Sequence, residues 1–164
     1  MTEIVVDARM IRSSGLGTIL TNVVPRLMRS NPAWRFHLLG DPKALGEFEW
    51  AAHGRITPFT APIYSIAEQR GFPVEATRGA DVLWSPNYNI PLRWHGPLLV
   101  NINDMAHLVL PEFRRSAAKQ LFARFMFGAV RRRASSIIYI SKFSEGEFHR
   151  LIGNPRGHES VVHC

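Results

Sequence analysis

The sequence predicts an α/β protein: one Rossmann-like domain built on an open, mainly parallel sheet with helices on both faces. Short runs that are apolar throughout recur along the chain, and segments with helical spacing of apolar residues lie between them. A strand that is apolar at every position has both faces covered, which is the condition of a parallel sheet sandwiched between helices.

Ile4 to Ala8 (IVVDA) reads as the first strand, followed by a polar, glycine-containing loop and an amphipathic helix from Gly17 to about Arg29. Pro25 lies inside that helical pattern and is expected to kink or split it, because proline donates no amide hydrogen and crowds the preceding turn. Ser30-Asn31-Pro32 ends the segment. Trp34 to Gly40 (WRFHLLG) reads as the second strand and Arg55 to Thr60 as the third, each bounded by Gly, Pro or Asp. Residues 61–79 read as a loop and a helix, after which Ala80 to Ser85 and Leu98 to Ile102 come as strands.

A helix from about Ser116 to Ala134 places Leu121, Phe122, Phe125, Met126, Ala129 and Val130 on an expected core face. Ser136 to Ile140 (SIIYI) is a further strand. The last helix is expected to begin at Ser144, since Ser144 and Glu147 have the spacing of a capping box, and to end near Gly153. Ser160 to Val162 starts one more apolar segment.

Composition narrows the function. With 164 residues, 46% hydrophobic and 20% charged, the chain fits one domain burying roughly 70% of its unfolded surface. The single cysteine, Cys164, allows no internal disulfide and fits a reducing, cytoplasmic setting. The start, MTEIVVDAR, is neither a signal peptide nor an anchor, and no apolar run approaches the ~18 residues that cross a bilayer. A soluble protein is expected, or one peripheral to the inner face of a membrane.

The net charge of +7 is concentrated: Arg114, Arg115, Lys119, Arg124, Arg131, Arg132 and Arg133 fall in one stretch that holds no acidic residue. Such a stretch is either a solvated helix face or a surface for phosphates or anionic lipid. Nucleic acid fits less well, because the aromatics fall at helical spacing and not in a stacking pattern. The seven histidines show no metal-ligand spacing, no Gly-x-Ser-x-Gly elbow or Gly-Lys-Ser/Thr loop occurs, and Cys164 is terminal. No metal and no covalent hydrolase chemistry is expected.

The informative residues lie just past the strand ends. SSGLGT (13–18) succeeds the first strand, SPNYN (85–89) the fourth, NDMAH (103–107) the fifth and SKFS (141–144) the sixth. In open α/β sheets ligands bind beyond the carboxyl ends of the strands, where loops and helix N-termini converge. Four polar clusters delivered there suggest a site, although Asn and Asp also cap ordinary turns. Gly15-Leu16-Gly17 before a helix can bring backbone amides close to a phosphate. A dinucleotide fingerprint would require a third glycine where Leu20 stands, but Asp41 after the second strand could serve as a ribose-binding acid. A free-standing NAD-type domain is therefore one alternative, and a noncatalytic phosphate- or lipid-binding module is another.

Taken together, DARMIRSSGLGT, ADVLWSPNYNIPL, LLVNINDMAHLVLPEF, SIIYISKFSEGEFHRLIG and SVVHC resemble, in order and spacing, the amino-terminal half of group 1 (family 4) glycosyltransferases. The resemblance implies a GT-B architecture of two Rossmann-like domains, of which this chain is the acceptor-side one. The nucleotide-sugar donor would be bound mainly by a carboxyl-terminal domain that residues 1–164 do not contain, so the chain alone is not expected to be active. Gly15, Leu16 and Gly17 would lie near the donor phosphates and the acceptor, and Tyr88, Asn89, His107 and Ser141 on the acceptor side. Asn103-Asp104 stands where the family commonly has His-Asp. Transfer would retain anomeric configuration and need neither a protein nucleophile nor a cofactor. Arg124, Arg131, Arg132 and Arg133 would face a membrane carrying a lipid-linked acceptor.

Overall fold

The structure, a computed structural model, describes residues 1–109 and 117–163, with the side chains of Ala106 and His107 excepted. Arg114, Arg115, the expected helix start at Ser116, and Cys164 lie outside the described residues. The protein is of the α/β class, on a seven-stranded parallel sheet. In chain order the elements are β1 (Glu3–Asp7), α1 (Ser14–Ser30), β2 (Arg35–Gly40), α2 (Pro42–Leu45), a 3₁₀ turn (Glu49–His53), β3 (Arg55–Pro58), α3 (Ile66–Gly71) and β4 (Val82–Ser85). Next come β5 (Leu98–Ile102), α4 (Ala106–Val109), α5 (Ala117–Arg133), β6 (Ser136–Tyr139), α6 (Lys142–Leu151) and β7 (His158–Val161). Two compact units divide the chain, one of Met1–Pro86 with Pro91–Pro97 and one of Asn87–Ile90 with Leu98–Cys164.

In the first unit the strands run β3-β2-β1-β4. β1 pairs in parallel on both sides, with Val6 opposite Leu38 of β2 and Val5 opposite Leu83 of β4. Val5, Val6, Leu38, Leu39 and Leu83 are all fully buried, as expected of strands apolar at every position. α1 runs unbroken through Pro25, so the expected split does not occur. Proline costs a helix interior about 3 kcal/mol. Leu20, Val24 and Pro25 itself are buried here, and at ~1.5–3 kcal/mol per buried aliphatic side chain their packing offsets that cost.

In the second unit β6 lies between β5 and β7, with Val100 opposite Ile137 and Ile137 opposite Glu159. The expected apolar segment at Ser160 is this edge strand, β7. Tyr139 ties it in: its ring is fully buried and its hydroxyl donates to Glu159 Oε1 at 2.8 Å. Burial, reinforced by Glu159, pushes the phenol pKa well above its ordinary value.

The core face of α5 differs from the expected one. Ala123, Met126, Phe127, Ala129 and Val130 are buried, whereas Leu121 and Phe125 are 71% and 51% exposed. The helix turns to bury Phe127, whose ring stacks on Tyr88 with centroids 4.2 Å apart and meets Phe148 edge-on at 6.2 Å. Periodicity selected Phe122 and Phe125; the aromatic partners select Phe127 instead.

α6 also starts earlier than expected. Its N-cap is Ser141, whose Oγ accepts from the Ser144 N–H at 3.1 Å. Glu147 pairs with Arg150 instead of closing a capping box.

One buried group makes the fold sensitive to acid. His37 on β2 is fully buried, with Nε2 2.7 Å from Thr57 Oγ1 and Nδ1 without a hydrogen-bond partner. Burial first, and then the charge of Arg55, lower its pKa, against a smaller opposing pull from Glu3. The folded state therefore refuses a proton that the unfolded chain accepts near pH ~6.5, so stability is intact above that pH and falls below it. Thermal melting monitored from pH 7.5 to 5.5 is expected to show a falling midpoint, and His37→Gln is expected to flatten that dependence.

Candidate functional site

Parallel strands of one unit deliver their carboxyl ends to a common edge, so the polar clusters can be placed unit by unit. In the first unit that edge carries Asp7 and the loop Ala8–Ser13 after β1, Asp41 after β2, the segment Phe59–Ser65 after β3, and Ser85-Pro86 after β4. α1 opens there without a side-chain cap: Ser13 is the N-cap residue and its hydroxyl makes no cap hydrogen bond. The first intrahelical bond runs from the Gly17 N–H to the Ser13 carbonyl at 2.7 Å, so the amides of Ser14, Gly15 and Leu16 precede the helical ladder.

The two glycines in the first turn of α1 do different work. A Cβ on Gly15 would meet nothing within 4 Å, which leaves the helix start open on that side. A Cβ on Gly17 would lie 2.4 Å from the Ile11 carbonyl oxygen, so Gly17 is required for the helix to pack on the loop that precedes it. Asp41, the candidate ribose acid of the NAD alternative, caps α2 by accepting from the Lys43 N–H at 2.9 Å. That employment weakens the alternative.

Sequence reasoning missed the strongest charged feature of this edge. Arg9 donates to Asp7 through Nε at 2.9 Å and Nη2 at 2.6 Å, and its Nη2 also pairs with Glu68 Oε1 on α3. Nη1 reaches the Ala61 carbonyl at 3.3 Å, and the guanidinium stands 4.2 Å over the Phe59 ring. All three charged side chains are largely buried, at 6%, 12% and 2% exposure for Arg9, Asp7 and Glu68. Burial alone would lower the Arg9 pKa, but the bonds and charges of Asp7 and then Glu68 hold it above its ordinary value. Asp7 and Arg9 are visible in DAR, but nothing local connects them with Glu68, 59 residues away.

In the second unit the carboxyl ends of β5 and β6 bring Asn103 and Ser141 together, as the sequence predicted. The Ser144 hydroxyl donates to the Asn103 carbonyl at 3.0 Å and lies 3.1 Å from Ser141 Oγ. One chain of hydrogen bonds thus joins the strand end of β5 to the first turn of α6. Asp104 beside it is exposed and Asn103 half-buried. Phe143, in the first turn of α6, is 71% exposed, an apolar side chain on the rim that the sequence pattern did not single out.

Other expected residues lie elsewhere. Tyr88 and Asn89 belong to the second unit and are buried, with the Tyr88 ring stacked on Phe127. His107 falls in α4, and its side chain lies outside what the structure describes. On α5, Arg124, Arg131 and Arg132 are exposed, with Arg131 Nε donating to the Asn154 carbonyl at 3.1 Å. Arg133 is half-buried, and burial lowers its pKa.

A shallow cleft of about 400 Å³, lined by Ala134, Ser135, Arg156, Gly157 and His158, lies at the amino ends of β6 and β7, the edge opposite the clusters. Among the described residues no helix is long and apolar enough to cross a membrane. Comparison of the chain with models of known families and with curated proteins gives no match.

Proposed function

We propose that the chain is the acceptor-side domain of a retaining glycosyltransferase, which moves a sugar from a nucleotide-sugar donor to a glycan or lipid-linked acceptor. The observation that carries this reading is the hydrogen-bonded junction of Asn103, Ser144 and Ser141 at the carboxyl ends of adjacent parallel strands, with Asp104 exposed beside it. It is a rigid mount for polar groups, built on element ends and not on a free loop.

The chemistry asked of such a mount is modest. If the acceptor hydroxyl attacks on the face from which the diphosphate departs, no protein nucleophile takes part, and the rate depends on holding acceptor and donor in register. Asp104, exposed beside the junction, accepts a hydrogen bond from a sugar hydroxyl. The uncapped amides of Ser14, Gly15 and Leu16 suit the negative charge that develops on a departing phosphate. The donor itself, on this reading, is held mainly by a second domain.

Peripheral contact with an anionic membrane is the setting that α5 favours. Leu121 and Phe125 are exposed on a helix that carries Arg124, Arg131 and Arg132 and, from Ala117 to Arg133, no acid. Apolar side chains flanked by arginines can enter a headgroup layer, each cation adding about 1 kcal/mol near the surface.

Assayed with a panel of sugar nucleotides in the presence of a donor-binding domain, Asp104→Ala is expected to lower kcat/KM on the order of 100-fold, the scale of a lost positioning contact; an unchanged rate would refute the site. Vesicles containing anionic lipid are expected to sediment the protein at low salt. Phe125→Glu combined with Arg124→Glu should abolish that binding without changing transfer to a soluble acceptor.

A further inference from the structure

We propose that Tyr64 is a carbohydrate platform: a half-exposed aromatic side chain, carried on a backbone conformation that tyrosine rarely adopts, against which a pyranose ring of the acceptor lies. The inference deepens the transferase reading and rests on it.

Tyr64 has φ +63°, the only positive φ at a non-glycine position among the described residues. An L-residue with a Cβ is disfavoured in this left-handed region, and a bulky aromatic is an outlier there. Such conformations persist only where the surroundings over-determine them, and they cluster at ligand sites. The surroundings are specific. The Tyr64 N–H donates to Glu68 Oε2 at 3.0 Å, while the other oxygen of the same carboxylate holds Arg9. Ser65 Oγ accepts from the Glu68 N–H at 3.1 Å and donates to the Pro62 carbonyl at 2.5 Å, and Arg9 also grips the Ala61 carbonyl. A buried charge cluster thus sets the backbone on both sides of Tyr64.

Among the described residues, this scaffold presents two exposed side chains with apolar surface. Tyr64 is 41% exposed and Ile66, two residues on, is 71% exposed. The ionic groups beneath, Arg9, Asp7 and Glu68, are buried and satisfy one another. A phosphate or carboxylate would find no cation offered by this cluster. A neutral ligand with an apolar face and a polar rim fits a phenol, and a sugar ring has that character. The position agrees: the segment comes after the carboxyl end of β3, on the edge of the first unit where β1 ends and α1 begins.

The test exploits the backbone. Glycine adopts the left-handed region without strain, so Tyr64→Gly removes the ring while leaving or improving the fold. Saturation-transfer NMR on the protein with a panel of neutral tri- to pentasaccharides of gluco, manno and galacto configuration reads binding directly. The expected result is binding by the wild type, binding weakened about three- to tenfold in Tyr64→Gly with an unchanged or raised melting temperature, and wild-type binding in Tyr64→Phe. Equal binding by Tyr64→Gly, or no binding of any probe by the wild type, overturns the platform. The transfer assay with Asp104→Ala separates the two ideas. Loss of transfer with indifferent Tyr64 variants leaves the transferase reading standing without the platform. Sugar binding that depends on Tyr64, with transfer indifferent to Asp104, leaves the platform without that reading.

Discussion

The organisation of the first unit depends on one interaction, the burial of Arg9 between Asp7 and Glu68. Three charged groups taken out of water are costly, and such a cluster holds only when geometry and hydrogen bonding are complete. Here they are: Asp7 takes two of the guanidinium's donors, Glu68 and the Ala61 carbonyl take others, and Phe59 covers one face. The strand end of β1, the segment after β3 and the helix α3 are thereby fixed to one another. Loss of the arginine would leave two carboxylates facing each other in a buried site. The cluster adds nothing a ligand could touch; its effect is to make the surrounding loops stiff.

The second unit is held together by different means. Tyr88, Phe127, Phe148 and Tyr139 pack ring on ring, and that packing decides which way α5 faces and holds α6 over β6. The same placement of α6 lets Ser144 reach the Asn103 carbonyl. An apolar cluster thus positions a polar junction, and the exposed Leu121 and Phe125 are a consequence of the turn that buries Phe127.

The central strands were legible in the sequence because they are short apolar runs between breakers, and β5 matches its expected span to the residue, whereas β7, HESV, begins two residues before the apolar segment expected from Ser160. The placement of Asn103 and Ser141 near each other came from the same logic, since both trail strands. What was not legible depended on partners distant in the chain. The facing of α5 required Tyr88, 39 residues before Phe127. The cap of α6 required knowing that Ser144's hydroxyl is engaged by the Asn103 carbonyl, which leaves Ser141 to begin the helix. Gly17 has the pattern of a phosphate-approach glycine, and its close contact with Ile11 supplies a packing reason that local sequence does not reveal. The continuity of α1 through Pro25 likewise reflects burial that only the tertiary fold provides.

Ligand chemistry, on this reading, belongs to the carboxyl ends of the strands, and the opposite cleft near Gly157 is incidental. Hydrogen-exchange mass spectrometry of the protein, with and without a mixture of sugar nucleotides and oligosaccharide acceptors, addresses that claim directly. Protection confined to residues 8–18, 59–68, 103–107 and 141–145 is the predicted result. Protection of residues 134–135 and 156–158 with those segments unchanged would contradict it.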